Sequence, residues 1–131
     1  MRKAFVVILC CLSFFAANVQ ASSGGGGGKE EMLYAKLGSF TVNLQNIDEY
    51  LQIEISVKLA NVGTFDAVKT NLPFIKHEII LLLSVQDSKQ LASRTGKQKL
   101  IEQIKKTTND VLKLEPANGV TEVLLGSFVI Q

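Results

Sequence analysis

Tryptophan is missing from this chain, histidine occurs once, and cysteine, proline and tyrosine occur twice each. One histidine leaves no basis for a histidine-rich metal site, and so few of these rings argue against an aromatic cage. Charge of one sign is also scarce. Fourteen basic residues meet twelve acidic ones for a formal +2, too weak a field to expect nucleic acid as a partner. At 131 residues the chain holds one domain, with no room for a second of any size.

What is present begins with a leader-like segment over residues 1–21. Arg2 and Lys3 form a basic start, and Ala4 to Ala17 is apolar except for Ser13. Val19-Gln20-Ala21 then places compact residues where a signal peptidase cuts, so the segment reads as a secretory signal peptide. The rival reading is a short N-terminal membrane anchor. Ala4 to Ala21 spans about 27 Å as a helix, against a hydrocarbon core of about 30 Å. Cys10 and Cys11 both lie in this segment, so a cleaved chain is exported yet uses no disulfide. Cleavage also lowers the basic residues from fourteen to twelve, equal to the acidic count. Residues 22–32 follow as a Gly/Ser-rich linker, in which Gly24 to Gly28 have no side chains to bury.

Residues 33–131 are expected to form the folded domain. Phe40, Val42 and Leu44 alternate with Thr41 and Asn43, the period of a strand. Asn46 to Glu49 reads as a turn, after which Leu51, Ile53, Ile55, Val57 and Leu59 alternate strictly with polar residues. The two strands are expected to pair as a hairpin with one wet face. Asn61 to Asn71 reads as a connection broken at Gly63. A helix is predicted from Leu72, with Pro73 in its first turn and Ile75, Ile79, Leu82 and Leu83 on its inner face. The run Ile79 to Leu83 is also compatible with a buried strand. A second helix is expected behind a Thr95–Gln98 capping box, with Leu100, Ile104, Thr108, Val111 and Leu112 inward and a Glu102–Lys106 pair outward. Val120 to Ile130 is apolar on both faces, which predicts a strand in the middle of the sheet. The fold class is therefore α+β: a small antiparallel or mixed sheet with two helices packed on one face. Leu37-Gly38-Ser39-Phe40 recurs as Leu125-Gly126-Ser127-Phe128; we read the glycines as bulges or close approaches, not as a duplication.

Chemistry is sparse. Gly96-Lys97 lacks the earlier glycine and following hydroxyl of a phosphate loop and reads as a helix start. His77 and Glu78 are neighbours in a helix and point about 100° apart, so they do not converge on a site. Asp48-Glu49 and Glu30-Glu31 read as solvated caps, and Lys97, Lys99, Lys105 and Lys106 as a basic but solvated helix face. No catalytic, cofactor-binding or metal-binding residue is assigned, and an enzyme is not expected.

Five segments in order carry a resemblance. They are LGSFTVNL at 37–44, YLQIEISVKL at 50–59, the proline-led IILLLS ending at Ser84, GKQKL at 96–100 and SFVIQ at 127–131. Together they resemble the periplasmic domain of the FliL family of flagellar basal-body proteins, from Tyr34 to Gln131. The matching positions, among them Phe40, Val42, Leu51, Ile53, Pro73, Leu100, Phe128 and Ile130, are mostly core. The resemblance implies a stomatin-like (SPFH-type) fold and a non-enzymatic accessory role. The implied protein associates with the stator and modulates flagellar rotation, swimming or swarming motility. It also implies a homo-oligomer in the form of a ring, on the periplasmic side of the inner membrane, or soluble periplasmic if the leader is cleaved. No small-molecule substrate, cofactor or nucleic acid is implied. Two departures stand out: the leader-like start replaces a full transmembrane helix, and Leu124-Leu125-Gly126 replaces a more aromatic stretch. The alternative is a soluble periplasmic binding or scaffolding module of the same fold outside the motor.

Overall fold

The computed structural model describes residues 33–131, so the leader-or-anchor reading of 1–21 and the 22–32 linker lie outside the described residues. The element order is β1 (Tyr34–Asn43), β2 (Tyr50–Leu59), α1 (Val62–Ser84), α2 (Ser88–Ala92), α3 (Arg94–Leu112) and β3 (Val120–Ile130). The sheet is antiparallel with the order β1-β2-β3. The α+β class therefore holds, with three helices where two were expected.

The strict alternation of β2 produces the expected result. Leu51, Ile53, Ile55 and Val57 are fully buried, and Leu59 nearly so, while the intervening side chains line the outer face. β2 pairs on both edges, with Val42 across from Leu51 on one side and Ile130 on the other. Both repeated glycines sit at bulges. Gly38 adopts φ +113 where the β1–β2 register shifts, a conformation open to glycine at little cost. Gly126 falls in the extra residue of β3 opposite Glu54.

Four expectations need correction. The expected central strand, β3, is an edge strand. Its two-sided apolarity comes from an exposed outer surface, where Leu124 and Val129 keep 43% and 38% of their accessible area. The expected connection from Asn61 to Asn71 is helical. Asn61 is the N-cap of α1, its side chain accepting from the Thr64 N–H at 3.0 Å, and this signal outweighs Gly63 as a breaker. Pro73 therefore lies inside α1, not in its first turn. The N-cap of α3 is Ser93, not Thr95: Ser93 Oγ accepts from the Gly96 N–H at 2.9 Å. Lys106 pairs with Asp110 at 2.6 Å and not with Glu102, an exposed contact of small energetic weight.

The helices meet the sheet at a polar junction. Asn109, buried near the end of α3, donates to the Val120 carbonyl at 3.0 Å and accepts from the Val120 N–H at 2.8 Å. Thr64 Oγ lies 2.7 Å from the Asn118 carbonyl and 3.2 Å from Asn61 Oδ1; its single proton favours the shorter contact. Ala60 N–H donates to the Gly119 carbonyl at 2.9 Å. A Cβ on Gly119 would stand 2.2 Å from Asn109 Oδ1, so the close approach requires glycine.

Two stability predictions arise here. Asn109→Ala leaves a buried N–H and carbonyl unpaired and should cost about 2–5 kcal/mol. Gly119→Ala should cost at least about 2 kcal/mol by overpacking. The double variant should cost less than the two losses combined, because removing the amide removes most of the clash; additive losses in urea melts would contradict this arrangement. Pro73 withholds a hydrogen bond from the Lys69 carbonyl inside α1, so Pro73→Ala should stabilise by about 1–3 kcal/mol. A lower melting temperature would show that the proline is required for the helix path.

Candidate functional site

The residues singled out for chemistry do not come together. His77 and Glu78 are both exposed on α1. Asp48 lies in the β1–β2 turn, where its N–H donates to Asn46 Oδ1, and Glu30-Glu31 lies outside the described residues. Gly96 is a helix start, as its spacing implied: its N–H is capped by Ser93, and a Cβ there would meet the Gln90 carbonyl. Among the described residues no group of three or more histidine, cysteine or acidic side chains is placed to hold a metal ion.

The basic face of α3 is partly engaged within the chain. Lys97 Nζ stands 5.0 Å from the centre of the Phe128 ring, and it also donates to the Ala92 carbonyl at 3.2 Å. That cation–π contact ties the start of α3 to the end of β3 and is worth about 0.5–1 kcal/mol at an exposed site. Lys106 is held by Asp110. Clefts run along the edges of the helices. One, between β1 and α1, is mostly apolar, lined by Phe65, Val68 and Leu72 with Lys36 and Lys69 at its rim. Another, between α3 and β3, is floored by Ile101 and Val123.

The strongest surface feature lies on α1. Its inner stripe of Val68, Ile75, Ile79 and Leu83 is buried. Its outer side nevertheless carries Phe74 and Leu81, exposed by 66% and 52%, with Val62, Ile80 and Val85 also in solvent. A helix of a small soluble domain ordinarily places polar residues there. Sequence reasoning placed Ile79, Leu82 and Leu83 on the inner face, or the run Ile79 to Leu83 in a buried strand, and assigned no face to Ile80 and Leu81. The available signal was the length of that run, since five consecutive apolar residues in a helix cannot all face one way. The arrangement is suited to contact, because it presents large apolar side chains to solvent. The exposed apolar groups of α1 lie mainly in its second half, from Phe74 onward.

No helix among the described residues is long and apolar enough to cross a membrane. The family described as flagellar basal body-associated protein FliL matches residues 34–131. The chain is 35% identical over 100 residues to the flagellar protein FliL of Escherichia coli K12, covering 76% of this chain and 65% of that protein. The FliL protein of Shigella flexneri matches to the same extent. That of Aquifex aeolicus is 30% identical over 102 residues, covering 76% of this chain and 62% of its own length. The chain thus spans under two thirds of the length of these curated relatives.

The two faces of α1 predict opposite mutational behaviour. Phe74→Ser should change stability by no more than about 0.5 kcal/mol, whereas Ile75→Ala should cost about 2–5 kcal/mol. Comparable losses at both positions in thermal melts would mean that the helix is rotated from the orientation described.

Proposed function

The chain belongs to the FliL family of flagellar basal body-associated proteins, and from that premise we propose that it is a non-enzymatic accessory protein of the flagellar motor. It associates with the stator and modulates flagellar rotation, and with it swimming or swarming. The observation that carries this reading is the family match over residues 34–131, almost the whole of the described domain. Exposed apolar side chains on α1 support action by contact.

In this reading the domain works on the periplasmic side of the inner membrane. It is held there by an anchor in residues 1–21, or recruited by protein contacts if that segment is a cleaved signal peptide. Self-association into a ring and a stomatin-like (SPFH-type) fold for the sheet and helices belong to the same proposal. It assigns the chain no substrate, cofactor or nucleic acid. The second reading, a periplasmic scaffolding module outside the motor, draws on the leader-like start and the glycine run.

Deletion of the gene tests the two readings. The motor reading expects smaller swimming or swarming zones on soft and hard agar, restored by the full-length chain, together with co-purification of stator proteins with a tagged chain. Normal motility on both surfaces, with no stator protein recovered, would overturn it in favour of the scaffolding module.

A further inference from the structure

The asparagines of this fold are not chemically equivalent. The side-chain amides of Asn43, Asn46, Asn61, Asn71 and Asn109 each hold a hydrogen bond. Asn118 is exposed, and among the described residues its side chain makes none. Only its backbone is engaged, the carbonyl by Thr64 Oγ at 2.7 Å and the N–H by the Glu115 carbonyl at 2.9 Å. It is also the only asparagine in the sequence that precedes a glycine. Asn109 leaves no room for a Cβ on Gly119, and the Gly119 N–H donates to no group among the described residues. The glycine that the corner requires therefore stands next to a free carboxamide.

We infer that Asn118 is a site of spontaneous deamidation, and that the isoaspartate it forms loosens the corner between the helices and β3. The Gly119 nitrogen, after losing its proton to hydroxide, attacks Asn118 Cγ. The Cγ–Nδ2 bond breaks, the departing nitrogen takes a proton from water, and ammonia leaves a closed succinimide. Water then opens the ring at either carbonyl. Opening at Cγ gives aspartate. Opening at the main-chain carbonyl gives isoaspartate, in which the chain runs through Cβ and Cγ and the old carbonyl carbon becomes a carboxylate. One water is consumed and one ammonia released, and no oxidant takes part. Every other asparagine is followed by a residue whose side chain crowds the attacking nitrogen, a hindrance that glycine lacks.

The consequence lies in the length of the backbone. Isoaspartate adds a methylene to the chain where there is no slack. Thr64 holds the carbonyl of residue 118, the Ala60 N–H holds the Gly119 carbonyl at 2.9 Å, and Asn109 holds both backbone groups of Val120. Gly119 is itself pressed against Asn109 and Leu114. A longer path between residues 118 and 119 pulls at least one of these bonds apart. Aspartate, the other product, keeps the original path and adds only an exposed charge. The two products thus have the same composition and charge but differ in stability. This inference rests on the corner alone and not on the flagellar reading.

Ageing of the folded, full-length chain at mildly alkaline pH tests it. Ion exchange should show more acidic species accumulating. Peptide mass spectrometry with electron-transfer fragmentation should place the exchange of NH for O at Asn118 before any other described asparagine. The isoaspartate species should melt about 4–8 °C below the fresh chain, the shift that corresponds to losing one such hydrogen bond. Asn118→Asp, with its backbone unaltered, should melt within about 3 °C of the fresh chain. Asn118→Ser should form none of the early acidic species. First conversion at another described asparagine, or conversion of Asn118 in urea but not in the folded chain, would overturn the inference. So would acidic species that persist in Asn118→Ser, an isoaspartate species as stable as the fresh chain, or an equal loss in Asn118→Asp.

Discussion

Two asparagines hold the place where the chain enters and leaves its helices. Asn61 caps the first turn of α1, and Thr64 on that turn reaches the Asn118 carbonyl. Asn109 near the end of α3 serves as a hydrogen-bonding partner for both backbone groups of Val120, the first residue of β3. The end of β2, the start of α1, the end of α3 and the start of β3 are thereby fixed at one corner. Hydrophobic burial is non-directional and would tolerate small slides of helix on sheet. These bonds set the register in which Leu100 and Ile104 of α3 and Ile75 and Ile79 of α1 meet the buried face of β2. Among the described residues every buried side-chain nitrogen and oxygen has a partner, so the corner stabilises without leaving an unsatisfied group.

The opposite end of the layer is secured differently. Lys97 lies over Phe128, and Tyr50 exchanges both backbone hydrogen bonds with Gln131 while its hydroxyl donates to the Gln131 side chain at 2.6 Å. One end of the helical layer is therefore held by buried amides and the other by contacts open to solvent. Between them the core is almost wholly aliphatic, with Phe40 its one buried aromatic. Such a core is a frame on which the outer side of α1 is presented.

Much of this was legible because local and global preferences agree. β2 alternates without exception, and its inward residues are the most buried of the sheet. The inner stripes of α1 and α3 were readable at helical period. The first half of α1 was not, because Gly63, Thr70, Asn71 and Pro73 all argue locally against helix, and only the cap at Asn61 and the packing of Val68 override them. β3 was misplaced for a different reason. Two-sided apolarity ordinarily means two covered faces, but here the outer face is open at Leu124 and Val129. The role of Asn109 could not be read at all, since its partners are backbone groups eleven residues away whose position depends on the finished fold. The family resemblance, carried by short segments that mostly fall in strands and core, corresponds to the residues over which the FliL match runs.

The position of β3 in the sheet also governs how the chain reaches this structure. β1 and β2 are joined by a short turn and can pair early, whereas Leu51 must wait for Ile130, which arrives only after all three helices have been laid down. Contacts of such wide sequence separation slow the search for the native state. During that interval one edge of β2, the most apolar strand of the sheet, offers its unpaired backbone to any other extended chain. The hairpin and helices thus assemble around a vacancy, and the domain is most open to misassembly just before its last strand closes.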